Sequence, residues 1–222
     1  ASLETAQAVQ HSAKYLIASE ETVPGEGSAY AAWLQYLYNN PTCDGARLGR
    51  VLCDATQQKY VELGQINAAR TLTLSVIDLS RIPAVSVAFD QMMLEVGSLL
   101  AAPEAFFTFG FFTRNVQRYQ VETMVDLADM ASRAQNQAIT NDTANAVIEA
   151  VDAAVIYNLK GDLRSYSHGL SFYYQPTAAF NQLDHYLRSC KSAPYLAVRD
   201  AVSMNWTALA WVYEQTPRLK DI

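Results

Sequence analysis

Short apolar segments that alternate with helical patterns constrain the fold of this chain most. The first, KYLIAS, covers residues 14–19, and the second, RTLTLSVIDLS, covers residues 70–80. Alternating or continuous apolar residues over such short lengths are typical of strands. Helical periodicity fills the sequence around them, at residues 2–12, 28–40, 44–63 and 82–102. Strand, helix, strand, helix at this spacing predicts an α/β protein with a mainly parallel sheet.

Helical patterns dominate after about residue 100, where the strand count falls. An aromatic-rich stretch at residues 104–120 is ambiguous, and a strand near residues 168–174 ends before Pro176. Further helices are predicted at residues 121–138, 141–159, 177–191 and 195–215. No linker interrupts the chain. The sequence therefore predicts a helix-rich C-terminal subdomain, residues 103–222, packed tightly on residues 1–102 and contributing the strand near residues 168–174.

Composition narrows the class of protein. Half of the 222 residues are hydrophobic, which is enough for a sizeable core, and a charged fraction of only 17% argues against disorder. The net charge is −6, and the sixteen Lys and Arg residues are scattered, so the chain offers no footprint for nucleic acid. No apolar run reaches the roughly 18 residues that a membrane span needs.

The cysteines and histidines give no convincing catalytic set. Three cysteines, Cys43, Cys53 and Cys190, argue against a disulfide framework and show no metal-ligand spacing. Cys53 lies in an apolar helical register, which predicts a core position. His168, beside Gly169 at a strand start, has the chemistry of a general base. Without a nucleophile nearby in the sequence, a role in orienting the turn is favoured.

An acidic loop follows the first predicted strand. The stretch YLIASEETVPGEGSAY, residues 15–30, carries Glu20 and Glu21 directly after the strand and holds Glu26 between two glycines. Ligands of open α/β sheets gather beyond the carboxyl ends of the strands. A carboxylate there could pair with a Lys or Arg side chain of a ligand. The alternative is a solvated acidic turn, and the chemistry alone leaves both readings open.

Three separated motifs resemble the clostripain family of cysteine peptidases. They are YLIASEETVPGEGSAY at residues 15–30, LSVIDLSRIPAV at residues 74–85 and AVIYNLKGDLRSYSHGLSFYYQP at residues 154–176. They occur in the family's order and span most of the chain. The resemblance implies a caspase-like fold, with a mostly parallel sheet, helices on both faces and a helical C-terminal subdomain.

The resemblance also implies an activity. Family members are bacterial hydrolases, often exported, that cleave peptides and proteins after Arg or Lys. A thiolate attacks the scissile carbonyl, a histidine assists, and backbone donors stabilise the oxyanion. By the family pattern the nucleophilic cysteine falls just before Ala1, and the catalytic histidine lies further upstream. No cysteine of this chain matches a catalytic position, and His168 belongs to the later, non-catalytic motif.

Two interpretations of the chain follow. In the first, it is the later portion of a clostripain-like endopeptidase, inactive alone, whose partner is the N-terminal portion or chain of the same peptidase. In the second, it is a non-catalytic caspase-like module that binds peptides or docks a partner chain. Whether Ala1 is a true terminus or a fragment edge stays open.

The resemblance assigns binding residues as well. Glu26 matches a carboxylate of the family's acidic pocket for the basic side chain, although glutamate is one methylene longer than aspartate. Ser19, Glu20, Glu21 and Gly25 are expected to line the cleft beside the substrate backbone. A weaker alternative, suggested by calcium dependence within the family, has the carboxylates 20, 21 and 26 binding calcium, although they match no standard calcium loop. No other cofactor is expected.

Overall fold

A computed structural model describes residues 1–100, 115–120 and 123–174. The predicted helices at residues 177–191 and 195–215, together with His185 and Cys190, lie outside the described residues, as does most of the ambiguous stretch at residues 104–120. The described helices are α1 Leu3–Val9, α2 Tyr30–Asn39, α3 Gly45–Glu62, α4 Ile66–Thr71, α5 Ile82–Leu100, α6 Leu127–Ala134 and α7 Asn141–Ala154. The strands are β1 Tyr15–Ala18, β2 Thr73–Asp78, β3 Met124–Asp126, β4 Val155–Lys160 and β5 Ser171–Tyr173, with short 3₁₀ turns at Leu79–Arg81 and Asp162–Arg164.

The described strands pair antiparallel, in a three-stranded sheet of order β1-β2-β4 and a two-stranded sheet β3-β5. The predicted mainly parallel sheet is therefore not what these strands form. Helices α2, α3 and α4 connect β1 to β2 along the chain. They bring the chain back to the end of the sheet where β1 finished. As a result Ala18 lies opposite Ser75 near the start of β2. The spacing of strands along the sequence does not determine whether neighbouring strands run parallel or antiparallel.

Two predicted helices contain strands. Residues 141–159 read as one helix, but the helix ends at Ala154 and β4 begins at Val155. Pairing with β2, which places Thr73 opposite Lys160, overrides the helical periodicity of this segment. In the same way β3 precedes α6 within residues 121–138, because its three buried residues pair with β5.

Hydrophobic cores cover both faces of the larger sheet. Ile77 of β2 packs into the larger core with Phe89, Leu127 and Phe172, whereas the adjacent Val76 packs into a second core with buried residues of α3. Consecutive strand residues point to opposite faces, so β2 is buried between two helical layers. The larger core draws on both predicted segments, residues 1–102 and 103–222. The boundary between those segments stays a prediction.

Helix α3 lies close against the sheet at a glycine. A Cβ placed on Gly49 would stand 2.7 Å from Val76 Cγ2 and 2.9 Å from Ile17 Cγ1, so a larger residue would push the helix outward. The N-terminal half of α3 is thereby fixed on β1 and β2. Its C-terminal end then reaches the acidic loop that follows β1.

Candidate functional site

Hydrogen bonds to Thr73 set the direction in which the chain leaves β1. The buried Thr73 Oγ1 accepts hydrogen bonds from the backbone N–H groups of Glu20, at 3.1 Å, and Glu21, at 3.0 Å. Ser19 Oγ lies 3.0 Å from the same hydroxyl and accepts from the Glu21 N–H at 3.0 Å. The Ser19 hydroxyl is therefore used within the turn.

Glu21 ties this turn to two distant segments. Its side chain is buried, and Oε1 accepts from the backbone N–H groups of Thr22, at 2.9 Å, and Gln120, at 2.8 Å. Its Oε2 forms an ion pair with the guanidinium of Arg164. A buried carboxylate that is satisfied in this way serves the fold, and removing one partner would leave a costly buried charge.

Glu20 is buried beside a second carboxyl group. Its Oε2 accepts from the Ser167 hydroxyl and from the Gly169 N–H at 3.0 Å. Burial, reinforced by the charge of Asp126, raises the pKa of the Glu20 carboxyl well above its usual value. Within the described part of the chain, Glu20 Oε1 is buried and has no hydrogen-bond partner, an environment that disfavours the charged form of the carboxyl.

Asp126 in turn orients His168. Its Oδ2 accepts from the His168 backbone N–H at 2.6 Å, and its Oδ1 lies 2.8 Å from His168 Nδ1. The hydrogen bond to Asp126 raises the pKa of His168, and partial burial opposes that shift. We name Glu20, Asp126, Ser167 and His168, with Tyr119 bonded to Ser167, the buried carboxyl cluster. These contacts fit the role of His168 in orienting a turn.

The glycine after His168 has its own structural reason. Gly169 has a φ of 93°, in the region that L-residues rarely adopt, and a Cβ there would stand 2.7 Å from Val155 Cγ1. The His-Gly pair is thus part of a tight turn between β4 and β5.

The loop of residues 24–28 is held by the C-terminal end of α3. The Gly27 N–H donates to the Pro24 carbonyl at 2.9 Å, and Gly27 adopts a φ of 64°. The Tyr60 hydroxyl lies 3.2 Å from the Pro24 carbonyl oxygen and 3.0 Å from that of Gly27. Since Tyr60 is fully buried in the second core, it anchors this turn to the sheet.

Lys59, which directly precedes Tyr60 in α3, holds the same loop. Its Nζ donates to the carbonyl oxygens of Glu26 at 2.7 Å, Ser28 at 3.2 Å and Gly27 at 3.3 Å. The ammonium group thus gathers three successive carbonyls and fixes the backbone that carries the Glu26 side chain. A cation bound to backbone dipoles also favours the ionised form of the nearby carboxylate.

The Glu26 carboxylate is exposed at the tip of this braced loop. Its Oε1 accepts from Gln65 Nε2 at 2.5 Å, and this hydrogen bond is the main reason that the pKa of Glu26 is lowered. The neighbouring Gly25 is exposed, and a Cβ there would meet nothing within 4 Å. The structure thus places Glu26 and Gly25 at the surface, whereas Glu20 and Glu21 lie in the interior.

The expectation that Glu20 and Glu21 line a cleft does not fit their burial. Both carboxylates face hydrogen-bond partners more than 90 residues away in sequence, which the local acidic pattern does not reveal. Sequence analysis also missed Lys59 and Gln65, because their contacts with Glu26 span 33 and 39 residues. No motif in the sequence marks either residue.

Cys53 does not have the environment of a thiolate. Cys53 is fully buried, as predicted, and burial, with the charge of Asp54, raises its pKa to about 12. Cys43 is half-buried and unpaired. A reactive thiol needs a lowered pKa and exposure, so Cys53 is unsuited to nucleophilic attack.

Two further observations concern metals and membranes. In residues 1–100, 115–120 and 123–174, no three His, Cys, Asp or Glu side chains are grouped so that they could hold a metal ion. The calcium alternative therefore gains no support from the carboxylates 20, 21 and 26. Within the same residues, none of the helices combines the length and the apolar character needed to cross a bilayer.

Fold and loop together define an α/β protein with a braced, ionised carboxylate beyond the end of a sheet strand. Solved structures share this fold. A clostripain from Bacteroides thetaiotaomicron ATCC 29148 in complex with the peptide inhibitor BTN-VLTK-AOMK matches with a TM-score of 0.56 and 19% identity, over 89% of this chain and 82% of that one. An inactive zymogen C11 protease from Parabacteroides distasonis matches with a TM-score of 0.60 and 17% identity, over 89% of this chain.

A third solved structure is a secreted C11 cysteine protease from Bacteroides thetaiotaomicron in complex with an irreversible peptide inhibitor, with a TM-score of 0.58, 17% identity and 89% of this chain covered. This chain spans 55% of the length of each of the last two proteins. A comparison with curated proteins gives no significant match. The sequence model of the clostripain family, peptidase family C11, matches residues 1–198. The chain belongs to the clostripain family of cysteine peptidases, which confirms the resemblance seen in its motifs.

Proposed function

We propose that this chain is the substrate-recognising later portion of a clostripain-type cysteine endopeptidase, in which Glu26 binds the Arg or Lys side chain that precedes the cleaved bond. The observation that carries the proposal is the ionised, exposed carboxylate on a loop whose backbone is fixed by Lys59 and Tyr60. Because the loop is held before a ligand arrives, little ordering entropy opposes binding.

The charge around Glu26 supports recognition of a cation. Lys59 directs its hydrogen bonds to backbone carbonyls, so the Glu26 carboxylate keeps acceptor capacity beyond the bond from Gln65. A basic side chain that reaches the loop would find a charge-assisted acceptor. Gly25, exposed beside it, leaves room for a peptide backbone to approach. Glu20, Glu21 and Ser19 take no part in this proposal, because their side chains are used within the fold.

In this proposal, both the nucleophilic cysteine and the catalytic histidine belong to residues that precede Ala1. Support comes from the family match and from Cys53, which is buried with a raised pKa. The segment 1–222 alone is then inactive and works with the N-terminal portion of the same peptidase. We also propose export from a bacterial cell, supported by a relative described as secreted. The substrates are peptides or proteins with a basic residue.

Replacement of Glu26 by Gln tests the pocket assignment. Glu26→Gln removes the charge and keeps the shape, and loss of one charge-assisted hydrogen bond corresponds to a factor of about 10 or more in binding. We expect kcat/KM for Arg and Lys amide substrates to fall about 10-fold or more, with the thermal midpoint unchanged. Glu62 is an exposed carboxylate at the C-terminal end of α3, so Glu62→Gln is the matched control and should have no effect. Unchanged kinetics in Glu26→Gln would refute the assignment.

A thiol-reactive peptide ending in Lys separates the endopeptidase from a non-catalytic peptide-binding module. The endopeptidase should be labelled once, at a cysteine that precedes Ala1 and not at Cys43, Cys53 or Cys190, and peptide mapping by mass spectrometry identifies the site. Binding of the peptide without covalent labelling would instead support the module.

A further inference from the structure

We propose that Gln65 is a specificity-determining residue that makes the Glu26 site favour Lys over Arg. This inference rests on the proposed function, because it concerns the side chain that Glu26 binds. The observation behind it is the hydrogen bond from Gln65 Nε2 to Glu26 Oε1, at 2.5 Å.

The backbone of Gln65 is anchored, so its side chain starts from a fixed point. Its N–H donates to the Tyr60 carbonyl at 2.9 Å, directly after Gly64, which has a φ of 70°. Gln65 stands immediately before α4, yet its side chain makes no capping bond to that helix. The side chain is instead directed across to Glu26. Since Tyr60 also holds the turn of residues 24–27, both partners are built on the same buried tyrosine.

The chemistry of the pair fixes its orientation. An ionised carboxylate only accepts hydrogen bonds, so the amide nitrogen of Gln65 must face it. The lowered pKa of Glu26 arises mainly from this bond, in agreement with an ionised carboxylate. One oxygen of the carboxylate therefore carries an intramolecular donor before any ligand binds. Among the described residues, no side chain donates to the other oxygen, Oε2, which is therefore open to the ligand.

Arg and Lys make different demands on such a carboxylate. A guanidinium group binds best through two parallel N–H bonds, one to each oxygen, which gives Arg its advantage at carboxylates. An ammonium group is a compact charge that needs no second oxygen. With Gln65 Nε2 already bonded to Oε1, a bidentate Arg has to share that oxygen with the amide and its bond there is weakened, whereas Lys can bind Oε2 directly. The Lys preference is therefore a consequence of Gln65.

The loss of one charge-assisted hydrogen bond corresponds to a factor of about 10 to 100 in binding. We expect kcat/KM of the unmodified protein to favour a Lys substrate over the matched Arg substrate. Gln65→Met keeps the length of the side chain and removes the donor. It should change the Arg-to-Lys ratio of kcat/KM at least about 10-fold toward Arg. If Gln65 only stabilised the loop, Gln65→Met would lower kcat/KM equally for the Lys and the Arg substrate and leave the ratio unchanged.

The experiment measures kcat/KM for two peptide amides that differ only in Lys or Arg before the cleaved bond, on the complete peptidase. Gln65→Ala is the second variant, and Gln58→Met, on an exposed face of α3, is the matched control. Equilibrium binding of the same peptides gives a readout independent of catalysis.

The outcomes separate this inference from the proposed function. If Glu26→Gln abolishes selectivity for basic residues and both Gln65 variants move the ratio toward Arg, the inference stands. If Glu26→Gln abolishes selectivity but the Gln65 variants keep the ratio, or the unmodified protein already favours Arg, only the role of Gln65 is overturned. If Glu26→Gln leaves the cleavage and binding of both peptides unchanged, the proposed function fails first.

Discussion

Glu20→Gln replaces the buried carboxyl of the cluster by a neutral amide of the same shape. The geometry suits the amide, because Oε2 of Glu20 accepts both the Ser167 hydroxyl and the Gly169 N–H, while Oε1 receives no bond from any described residue. In the variant the amide oxygen accepts the two hydrogen bonds, and the amide nitrogen takes the place of Oε1. Only the titration is removed.

The sign of the pH effect follows from the raised pKa of Glu20. In the folded state the carboxyl keeps its proton at a pH where the unfolded chain has released it. The native state then binds more protons than the unfolded state, so the free energy of unfolding falls as pH rises above the usual pKa of glutamate. For one proton the slope reaches at most about 1.4 kcal/mol per pH unit. The decline ends once the pH exceeds the folded-state pKa.

The assay is urea unfolding followed by circular dichroism at a series of pH values from 5 to 8. His168 also has a raised pKa, so its stabilising contribution is present at low pH and is lost as pH rises through that pKa. Because His168 is common to both proteins, the difference between Glu20→Gln and the unmodified protein isolates Glu20. We expect that difference to grow in favour of the variant as pH rises, by at most about 1.4 kcal/mol per pH unit. Parallel pH profiles would refute the protonated state of Glu20, and Glu149→Gln, an exposed charge removal on α7, is the control.

Two further predictions concern the turn after β4 and the buried thiol. Gly169→Ala should lower the free energy of unfolding by about 2–5 kcal/mol, since its φ of 93° and a Cβ position 2.7 Å from Val155 Cγ1 combine strain with overpacking. Gly25→Ala, with open space around it, should change stability little in the same denaturant titration, and equal effects would contradict the turn geometry. Under native conditions a maleimide should modify Cys43 and leave Cys53 unmodified until the protein unfolds, as read by mass spectrometry of each site. Rapid native labelling of Cys53 would contradict its burial.

Sequence patterns located β1 and β2, because short apolar runs followed by turn residues leave few alternatives to a strand. They did not separate β4 from α7, since Val147, Val151 and Val155 continue one helical spacing until pairing with β2 ends it. The sequence pattern also did not predict that neighbouring strands run antiparallel. Their direction depends on where helices α2 to α4 return the chain, which is a property of tertiary packing.

The candidate site was predictable in part. Pro24, Gly25 and Gly27 mark a turn, and the family motifs place a carboxylate on it at Glu26. The fate of Glu20 and Glu21 was hidden, because an acidic run looks the same whether it faces solvent or distant partners such as Arg164. Contacts that bridge so many residues leave no local signal in a single sequence.

The most direct test of the account compares two substrates, one with Lys and one with norleucine before the cleaved bond, on the complete peptidase and on Glu26→Gln. Norleucine keeps the aliphatic chain of Lys and lacks the charge, so the ratio of the two kcat/KM values isolates the Glu26 ion pair. The account predicts a preference for Lys of about 10-fold or more that collapses toward unity in Glu26→Gln. A preference for Lys that survives the substitution would contradict the claim that Glu26 recognises the basic side chain.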